Sequence, residues 1–240
     1  MSDLAGEART GPVLGVFAHP DDAEIAAGGT LSKWAATSRQ VHLMILTNGD
    51  RGSQDPELDR AELAATRVVE TEAAAKVMGL ASVTIGRIHD GDLENTEAVR
   101  EPVVRRIREL RAETVVSVDP TAVFFDDRYY NHSDHRMAGW VALDSAFPGS
   151  GNPHFFAEQL AEGLRPHDVY DIWLAWTNDP NHVEDITGFL RRKVDALAEH
   201  ASQLTEGIRH FEERLGERAT ELGRKIGVEH AEEFRVLDLS

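Results

Sequence analysis

The chain has 240 residues and no cysteine, which excludes disulfides and thiolate metal ligands. Its 25 Lys and Arg residues stand against 42 Asp and Glu residues, and the net charge of −17 argues against binding to nucleic acid or to an anionic membrane surface. Hydrophobic residues make up 41% of the chain, enough for the core of one domain spanning residues 1–240.

No segment of the sequence predicts a membrane span or a secretory signal. The first ten residues carry acidic charge and no apolar core. The apolar run that follows is only about eight residues long, whereas roughly 20 are needed to cross a bilayer. We therefore predict a cytoplasmic protein.

Short apolar runs alternate with longer amphipathic stretches along the first two thirds of the chain. Five runs predict strands, at residues 12–18, 41–47, 82–86, 114–118 and 169–176. The first, second and fourth are nearly continuous in apolar residues, as in strands that helices cover on both faces.

Amphipathic stretches between these runs predict helices at about 24–38, 57–78, 97–111 and 136–147. Strands alternating with helices predict an α/β fold, Rossmann-like, with three α/β/α layers and a mostly parallel sheet.

The rest of the chain predicts a loop and a C-terminal helical segment. We interpret the Pro- and Gly-rich passage 147–153 as a loop within the single domain. Charged, helical patterns over about 185–204 and 207–226 predict that residues 185–240 form helices packed on the same domain. The amphipathic stretch 206–234 is a solvated helix or a contact for another subunit, so a homo-oligomer is one expectation.

The first strand ends abruptly in charged and polar residues. In VFAHPDDAE, residues 16–24, His19, Asp21 and Asp22 follow the apolar run directly. Unpaired charges are not tolerated in a dry core, and ligands of open α/β sheets bind beyond the carboxyl ends of the strands. Either aspartate could alternatively cap the next helix.

A second cluster follows the fourth predicted strand and also precedes a helix. YYNHSDHRMAG, residues 129–139, contains His132, Asp134 and His135. Two His/Asp clusters at one edge of the sheet indicate a metal site, and a catalytic zinc takes three such ligands and leaves one position open. One workable set combines both clusters: His19, Asp22 and His135. The residues alone do not distinguish Asp21 from Asp22 as the ligand.

Together these motifs resemble the PIG-L/LmbE family of zinc-dependent N-acetylglucosaminyl deacetylases. The matching stretches are AHPDDAE (18–24), GGT (28–30), TNGDRG (47–52), Arg67 with Glu70, NHSDH (131–135), DIT (185–187) and K-x-x-A-L-x-x-H-x-S-Q (193–203). They cover most of the chain, and the His-Pro-Asp-Asp and His-x-Asp-His motifs are specific in combination.

The resemblance implies a hydrolase that removes an acyl group, most often acetyl, from the amide nitrogen of a sugar-like small molecule. It implies zinc ligands at His19, Asp22 and His135, although ferrous iron could occupy the same ligands in the cell. The implied catalytic roles are a general base, a protonated imidazole that stabilises the oxyanion, and the partner that orients this imidazole: Asp21, His132 and Asp134, in that order.

The sequence departs from the family pattern in three places. Ala23 stands where many members have Glu, and Ser133 replaces the usual Pro. The passage TAVFFDDRYYN, residues 121–131, is longer and more aromatic than in members with a simple Gly-His-Pro-Asp-His motif. Because this passage adjoins the predicted site, the identity of the substrate stays open.

Other polar residues have two interpretations each. Arg51 and Arg67 are expected to contact an anionic or sugar portion of the substrate, or else to form surface ion pairs. The stretch IHDGDL, 88–93, could bring His89, Asp90 or Asp92 to the pocket, or could form only a turn, because Asp-Gly favours turns. His200, in the C-terminal motif, is either a site residue or a packed helical histidine.

Two other functions are compatible with parts of the pattern. His19, Asp21 and His135 also fit the 2-His-1-carboxylate site of non-haem Fe(II) oxygenases, which would leave Asp22 and His132 without a role. A non-catalytic metal-binding module would retain the ligands without the hydrolysis.

Overall fold

We describe the protein from a computed structural model that covers residues 9–37, 39–204 and 207–240. Residues 1–8 lie outside the described residues, and the expectation about a secretory signal rests mainly on them. Residue 38 of the predicted helix 24–38 and residue 206 of the amphipathic stretch 206–234 also lie outside. The elements follow in chain order: β1 (Val13–Phe17), α1 (Asp22–Ala36), β2 (Val41–Thr47), α2 (Arg60–Met78), β3 (Ser82–Ile88), α3 (Glu97–Leu110), β4 (Thr114–Val118), β5 (Phe124–Phe125), β6 (Tyr129–Tyr130), α4 (Ser133–Asp144), α5 (Ala157–Ala161), β7 (Asp171–Ala175), β8 (His182–Asp185), α6 (Leu190–Ala198), α7 (Ile208–Ile226) and β9 (Ala231–Asp238).

Seven strands form one sheet in the order β3-β2-β1-β4-β7-β9-β8. Five neighbouring strands are parallel to one another, namely β3, β2, β1, β4 and β7. The strand β9 runs antiparallel to both of its neighbours, β7 and β8. The predicted α/β fold with a mostly parallel sheet is therefore confirmed. The chain adds strands on one side of β1 and then returns to place β4 on the other side, so a crevice opens between the carboxyl ends of β1 and β4.

Helices cover both faces of the sheet, and alternate residues of β1 belong to the two resulting cores. Leu14 and Val16 pack with apolar residues of α3 and α4. Val13 and Phe17 pack with apolar residues of α1 on the opposite face, where α2 and α6 also lie. Among the described helices, none is long and apolar enough to cross a membrane.

The C-terminal segment differs from the prediction, because it supplies strands as well as helices. The segment 185–240 was expected to consist of helices packed on the domain, yet β9 lies inside the sheet between β7 and β8. The helical periodicity ends with α7 at Ile226, and the following AEEFRVLD is a strand with several charged residues. The strand β9 was not predicted because buried strands are recognised by apolar runs, and its charged residues interrupt any such run.

One buried charge of β9 holds α1 in place. The Glu232 carboxylate accepts the backbone N–H groups of Gly29 and Thr30, at 3.0 and 2.8 Å, and pairs with Lys193 at 2.5 Å. These N–H groups follow an interruption of α1 at Ala27, where φ is −145°. A Cβ atom at Gly29 would lie 2.6 Å from Ile186, which explains a glycine in the GGT motif.

Candidate active site and metal centre

Three loops meet at the crevice between β1 and β4 and border a cavity of about 530 Å³. The β1–α1 loop brings His19, Asp21 and Asp22 to this cavity. The β3–α3 loop contributes Asp90, and the start of α4 contributes His132 and His135. The two His/Asp clusters predicted from the sequence are thus neighbours in space.

Two imidazoles and one carboxylate converge as the resemblance implies. His19, Asp22 and His135 offer ligand atoms that all lie within 4.8 Å of one another. Nε2 of His135 is 3.1 Å from Oδ1 of Asp22, and Nδ1 of His19 is 3.5 Å from Oδ2 of the same carboxylate. This donor set fits the three protein ligands of a catalytic zinc.

Neighbouring groups orient these side chains. Nδ1 of His135 is 2.9 Å from Oδ1 of Asn131, whose amide nitrogen donates to the Ala122 carbonyl at 2.9 Å. Because the amide oxygen accepts a hydrogen bond from the Nδ1–H of His135, the lone pair on Nε2 of His135 is directed at the cluster. The backbone N–H of His19 donates to Oδ2 of Asp22 at 2.8 Å, which fixes that carboxylate.

A second group of donors shares His19 with the first. Ligand atoms of His19, Asp90, His132 and Asp134 also lie within 4.8 Å of one another. Nε2 of His19 lies 3.2 Å from Asp90 and 3.3 Å from Asp134, whereas its Nδ1 faces Asp22. The imidazole of His19 therefore stands between three carboxylates.

The charge of these carboxylates dominates the electrostatics of the site. Burial opposes protonation of His19, but the charge of Asp22 and the hydrogen bonds with Asp134, Asp22 and Asp90 outweigh it and raise the pKa of His19 to about 12. Burial likewise opposes ionisation of Asp22, yet His135 and His19 hold its pKa well below the usual value. A divalent cation would displace the proton that His19 retains.

Asp21 does not cap α1 through its side chain, although it stands at the start of that helix. Its backbone is left-handed, with φ of 102°, and its carboxylate makes no capping hydrogen bond. The side chain borders the cavity and lies 3.3 Å from Arg67. Burial raises the pKa of Asp21 to about 6, and the charge of Arg67 opposes this rise.

Arg67 is a buried side chain that joins α2 to two of the site loops. It donates to the Pro20 carbonyl and, at 3.0 Å, to the Gly49 carbonyl. Gly49 has φ of +61°, and a Cβ atom there would lie 2.5 Å from the guanidinium of Arg67. The TNGDRG motif thus makes room for this arginine, which also borders the cavity.

Arg51 takes a different place. It forms a two-pronged ion pair with Asp92, at 2.7 and 2.9 Å, and donates to the Asp90 carbonyl at 2.5 Å. It is exposed and is not among the described residues that border the cavity. Its substrate contact stays a prediction.

His132 is the N-cap of α4, and its Nδ1 accepts the backbone N–H of Asp134 at 3.2 Å. This bond assigns the ring proton of the neutral imidazole to Nε2, which lies 3.9 Å from Asp90. Burial, together with the charge of His19, lowers the pKa of His132 below 6.5. This shift favours the neutral imidazole, with its N–H at Nε2, and the protonated form that the resemblance implies stays a prediction.

The side chain of Asp134 contacts His19 and not the ring of His132. It is fully buried, accepts the Gly91 N–H at 2.6 Å and lies 3.3 Å from Nε2 of His19. It reaches the ring of His132 only through its charge and its backbone N–H.

Asp90 is a site residue that the sequence left undecided. Asp50 accepts the Asp90 N–H at 3.1 Å. The Nδ1 atom of His89 lies 2.8 Å from the carboxylate of Asp50, so the partner of His89 is Asp50 and not a group of the metal cluster. The Asp-Gly turn does form, with φ of 88° at Gly91, and it carries Asp90 into the cavity. Its position after the carboxyl end of β3 was the available signal.

Known proteins resemble this chain in sequence and in fold. Residues 14–146 match the family model PIG-L, GlcNAc-PI de-N-acetylase. The chain is 32% identical over 224 residues to the diacetylchitobiose deacetylase of Thermococcus kodakarensis, covering 93% of this chain and 82% of that protein. It is 28% identical to the 1D-myo-inositol 2-acetamido-2-deoxy-alpha-D-glucopyranoside deacetylase of Rhodococcus jostii, covering 80% of this chain and 82% of that protein.

A solved structure shows the same fold over nearly the whole chain. The N,N'-diacetylchitobiose deacetylase from Pyrococcus horikoshii superposes with a TM-score of 0.86 at 32% identity, covering 95% of this chain and 84% of that chain. The resemblance identified from the motifs is confirmed. The chain therefore belongs to the PIG-L family of de-N-acetylases and is an enzyme of the hydrolytic N-deacetylase class.

Proposed function

We propose that the protein is a zinc-dependent hydrolase that removes an acetyl group from the amide nitrogen of a sugar-like small molecule. The observation that carries this proposal is the convergence of His19, Asp22 and His135 beside a further carboxylate, Asp21, in one cavity. A zinc ion bound by these three residues would supply a Lewis acid that polarises the amide carbonyl and lowers the pKa of water.

Asp21 is the proposed general base. Its carboxylate borders the cavity, is not used by the helix, and lies next to the proposed ligand Asp22. It accepts a proton from the attacking water and returns that proton to the leaving amine nitrogen. Arg67, at 3.3 Å, keeps the carboxylate available in its ionised form.

His132 is the proposed donor to the oxyanion. Because its Nδ1 accepts the Asp134 N–H, its Nε2–H is free to donate into the cavity as the carbonyl oxygen gains charge. Asp134 positions both imidazoles, since it fixes the tautomer of His132 through its backbone and contacts His19 through its carboxylate.

The names of the relatives support an N-acetylated sugar as the substrate. They describe deacetylases of diacetylchitobiose and of an inositol-linked 2-acetamido sugar. In the proposed complex, Arg67 faces the polar part of such a substrate at the cavity wall. Ferrous iron in the same ligands, a cytoplasmic location, a single domain, and homo-oligomer formation all stay predictions.

An acetate-release screen over N-acetylated monosaccharides, glycosides and oligosaccharides tests the proposed activity. We expect turnover of at least one glucosamine derivative and a loss of at least about a hundredfold in Asp21→Asn, because the base is removed. Asn adopts left-handed backbone readily, so the loop conformation is kept. Unchanged turnover in this variant would remove Asp21 from the mechanism.

Metal retention tests the ligand set independently of activity. We expect Asp22→Asn to lose zinc during dialysis, measured by elemental analysis, because Asp22 touches both ligand histidines. An Fe(II) oxygenase that used His19, Asp21 and His135 would retain its metal in this variant and lose it in Asp21→Asn. The two variants thus separate the hydrolase from the oxygenase.

A further inference from the structure

Asn131 is a fully buried residue that lies between a proposed metal ligand and the β5–β6 hairpin, in which β5 and β6 pair antiparallel. Its amide oxygen lies 2.9 Å from Nδ1 of His135, and its amide nitrogen donates to the Ala122 carbonyl at 2.9 Å. Its backbone N–H donates to the Val123 carbonyl at 2.8 Å. One residue thus joins the chain that enters the hairpin to His135.

The partner on the hairpin side determines the orientation of the Asn131 amide. A backbone carbonyl can only accept a hydrogen bond, so the group that faces Ala122 is the amide nitrogen. The amide oxygen is then the atom that faces His135, and it too can only accept. A His135 tautomer with its proton on Nε2 would place two acceptors against each other and could not offer Nε2 to a metal. The bond to Ala122 therefore favours the tautomer that can bind.

The Ala122 carbonyl is itself held by the residues that follow β4. The buried carboxylate of Asp119 accepts the backbone N–H and the hydroxyl of Thr121, at 2.9 and 2.6 Å. It also accepts the hydroxyl of Thr177 at 2.6 Å, and the Ala122 N–H donates to the Asp119 carbonyl at 3.3 Å. A series of hydrogen bonds therefore runs from the sheet to the amide that holds His135.

We propose that Asn131 is a positioning residue that holds His135 in the tautomer and ring orientation in which Nε2 faces the cluster, and so raises the affinity of the site for zinc. The inference rests on the proposed ligand set of His19, Asp22 and His135, and it adds a residue that does not itself bind the metal. Groups that orient a ligand imidazole contribute about 10- to 100-fold to metal affinity. The Gly-His-Pro-Asp-His pattern has glycine at this position, whereas the longer passage 121–131 supplies both the asparagine and the carbonyl that orients it.

Two substitutions of Asn131 separate this role from a purely structural one. Asn131→Asp keeps an oxygen for the Nδ1–H of His135 and loses the donor to Ala122, whereas Asn131→Leu loses both bonds at similar volume. The measurement is the zinc dissociation constant of each apoprotein, by competition with a chromophoric chelator at one pH, because metal affinity depends on pH. Asn131→Leu should bind zinc about 10- to 100-fold more weakly than the wild type. Asn131→Asp should bind it at least as tightly, because a carboxylate partner makes the imidazole a more basic ligand.

Asn178 offers a matched control. Its amide nitrogen donates to the Phe124 carbonyl at 2.9 Å, so it holds the same hairpin, but within the described part of the chain it makes no hydrogen bond to a proposed ligand. Asn178→Leu should therefore keep the wild-type dissociation constant. Asn131→Ala, which adds no bulk, should repeat the loss seen in Asn131→Leu and guards against a misfolded loop.

Wild-type zinc affinity in both Asn131→Leu and Asn131→Ala would overturn the positioning role. An equal loss in Asn131→Leu and Asn131→Asp, or in Asn131→Leu and Asn178→Leu, would also overturn it, because Asn131 would then only anchor the hairpin. In each case, weaker zinc binding in Asp22→Asn than in the wild type would leave the proposed ligand set intact. A wild-type protein that binds zinc no more tightly than Asp22→Asn would overturn the ligand set and this inference together.

Discussion

Asp21 is held between opposing influences on its charge. Burial favours its neutral form and raises its pKa to about 6, the charge of Arg67 opposes the rise, and Asp22 adds to it. A general base must be ionised, so kcat/KM should fall as the pH drops through this value. A bound divalent cation favours the ionised carboxylate and lowers this raised pKa, so we place the acidic limb of the profile at or below pH 6.

The position of this limb tests the role of Arg67. In Arg67→Met the limb should move to higher pH, because the charge that favours the ionised Asp21 is gone. Arg67→Lys retains the charge and should move it less. The pH profile of kcat/KM between about pH 5 and 8 is the measurement. A limb that stays in place while KM rises would assign Arg67 to substrate binding alone.

The sequence was informative about residues whose chemistry is rare in structural positions. The two His/Asp clusters were singled out because both follow strand ends at one edge of the sheet, and the resemblance then implied the ligand set of His19, Asp22 and His135. Asn131 was not singled out, since an asparagine in a loop has many uses and its contact with His135 depends on the hairpin path. Asp90 was ambiguous because the same Asp-Gly turn occurs without any site.

At the scale of elements, the C-terminal motif joins α6 to the two helices of the site face. Glu70 of α2 accepts both the backbone N–H and the hydroxyl of Ser202, each at 2.7 Å. His200 and Glu24 of α1 are fully buried, and Nε2 of His200 lies 3.5 Å from Oε1 of Glu24. The sequence allowed His200 to be either a site residue or a packed histidine. The structure shows a packed histidine, whose charge also lowers the pKa of Asp21.

The pair of Glu24 and His200 should stabilise the fold in a pH-dependent way. Burial opposes protonation of His200, but its interaction with Glu24 and the charge of Asp21 outweigh it and raise the pKa of His200 above 6.5. The stabilisation is thus complete below the unfolded value of 6.5 and is lost as the pH rises through the folded pKa.

The variants of this pair should differ in how much unfolding free energy they lose. His200→Leu fills the space but leaves a buried carboxylate unpaired, so it should cost about 3–5 kcal/mol of unfolding free energy near pH 6. Glu24→Met combined with His200→Leu removes both charges and should cost less than the single variant. Urea unfolding at two pH values measures both effects, and strictly additive losses would show that the two side chains do not interact.

At the scale of the whole molecule, the parallel strands could be predicted from the sequence, whereas the charged C-terminal strands and the short hairpin could not. The strands β1, β2 and β4 read as apolar runs because helices cover both of their faces. The strands β8 and β9 contain charged residues whose partners are far away in sequence, such as Glu232 with Gly29. The β5–β6 hairpin has two residues in each strand, too few for any periodicity to show.

The left-handed backbone at Asp21 has a consequence for the evolution of the molecule. A non-glycine residue in this conformation costs about 1–3 kcal/mol, which the rest of the fold must offset. Glycine would relieve that cost and would remove the carboxylate in the same step. Under the proposed mechanism, selection for stability alone would therefore favour loss of the general base, and selection for turnover would keep an acid at this position.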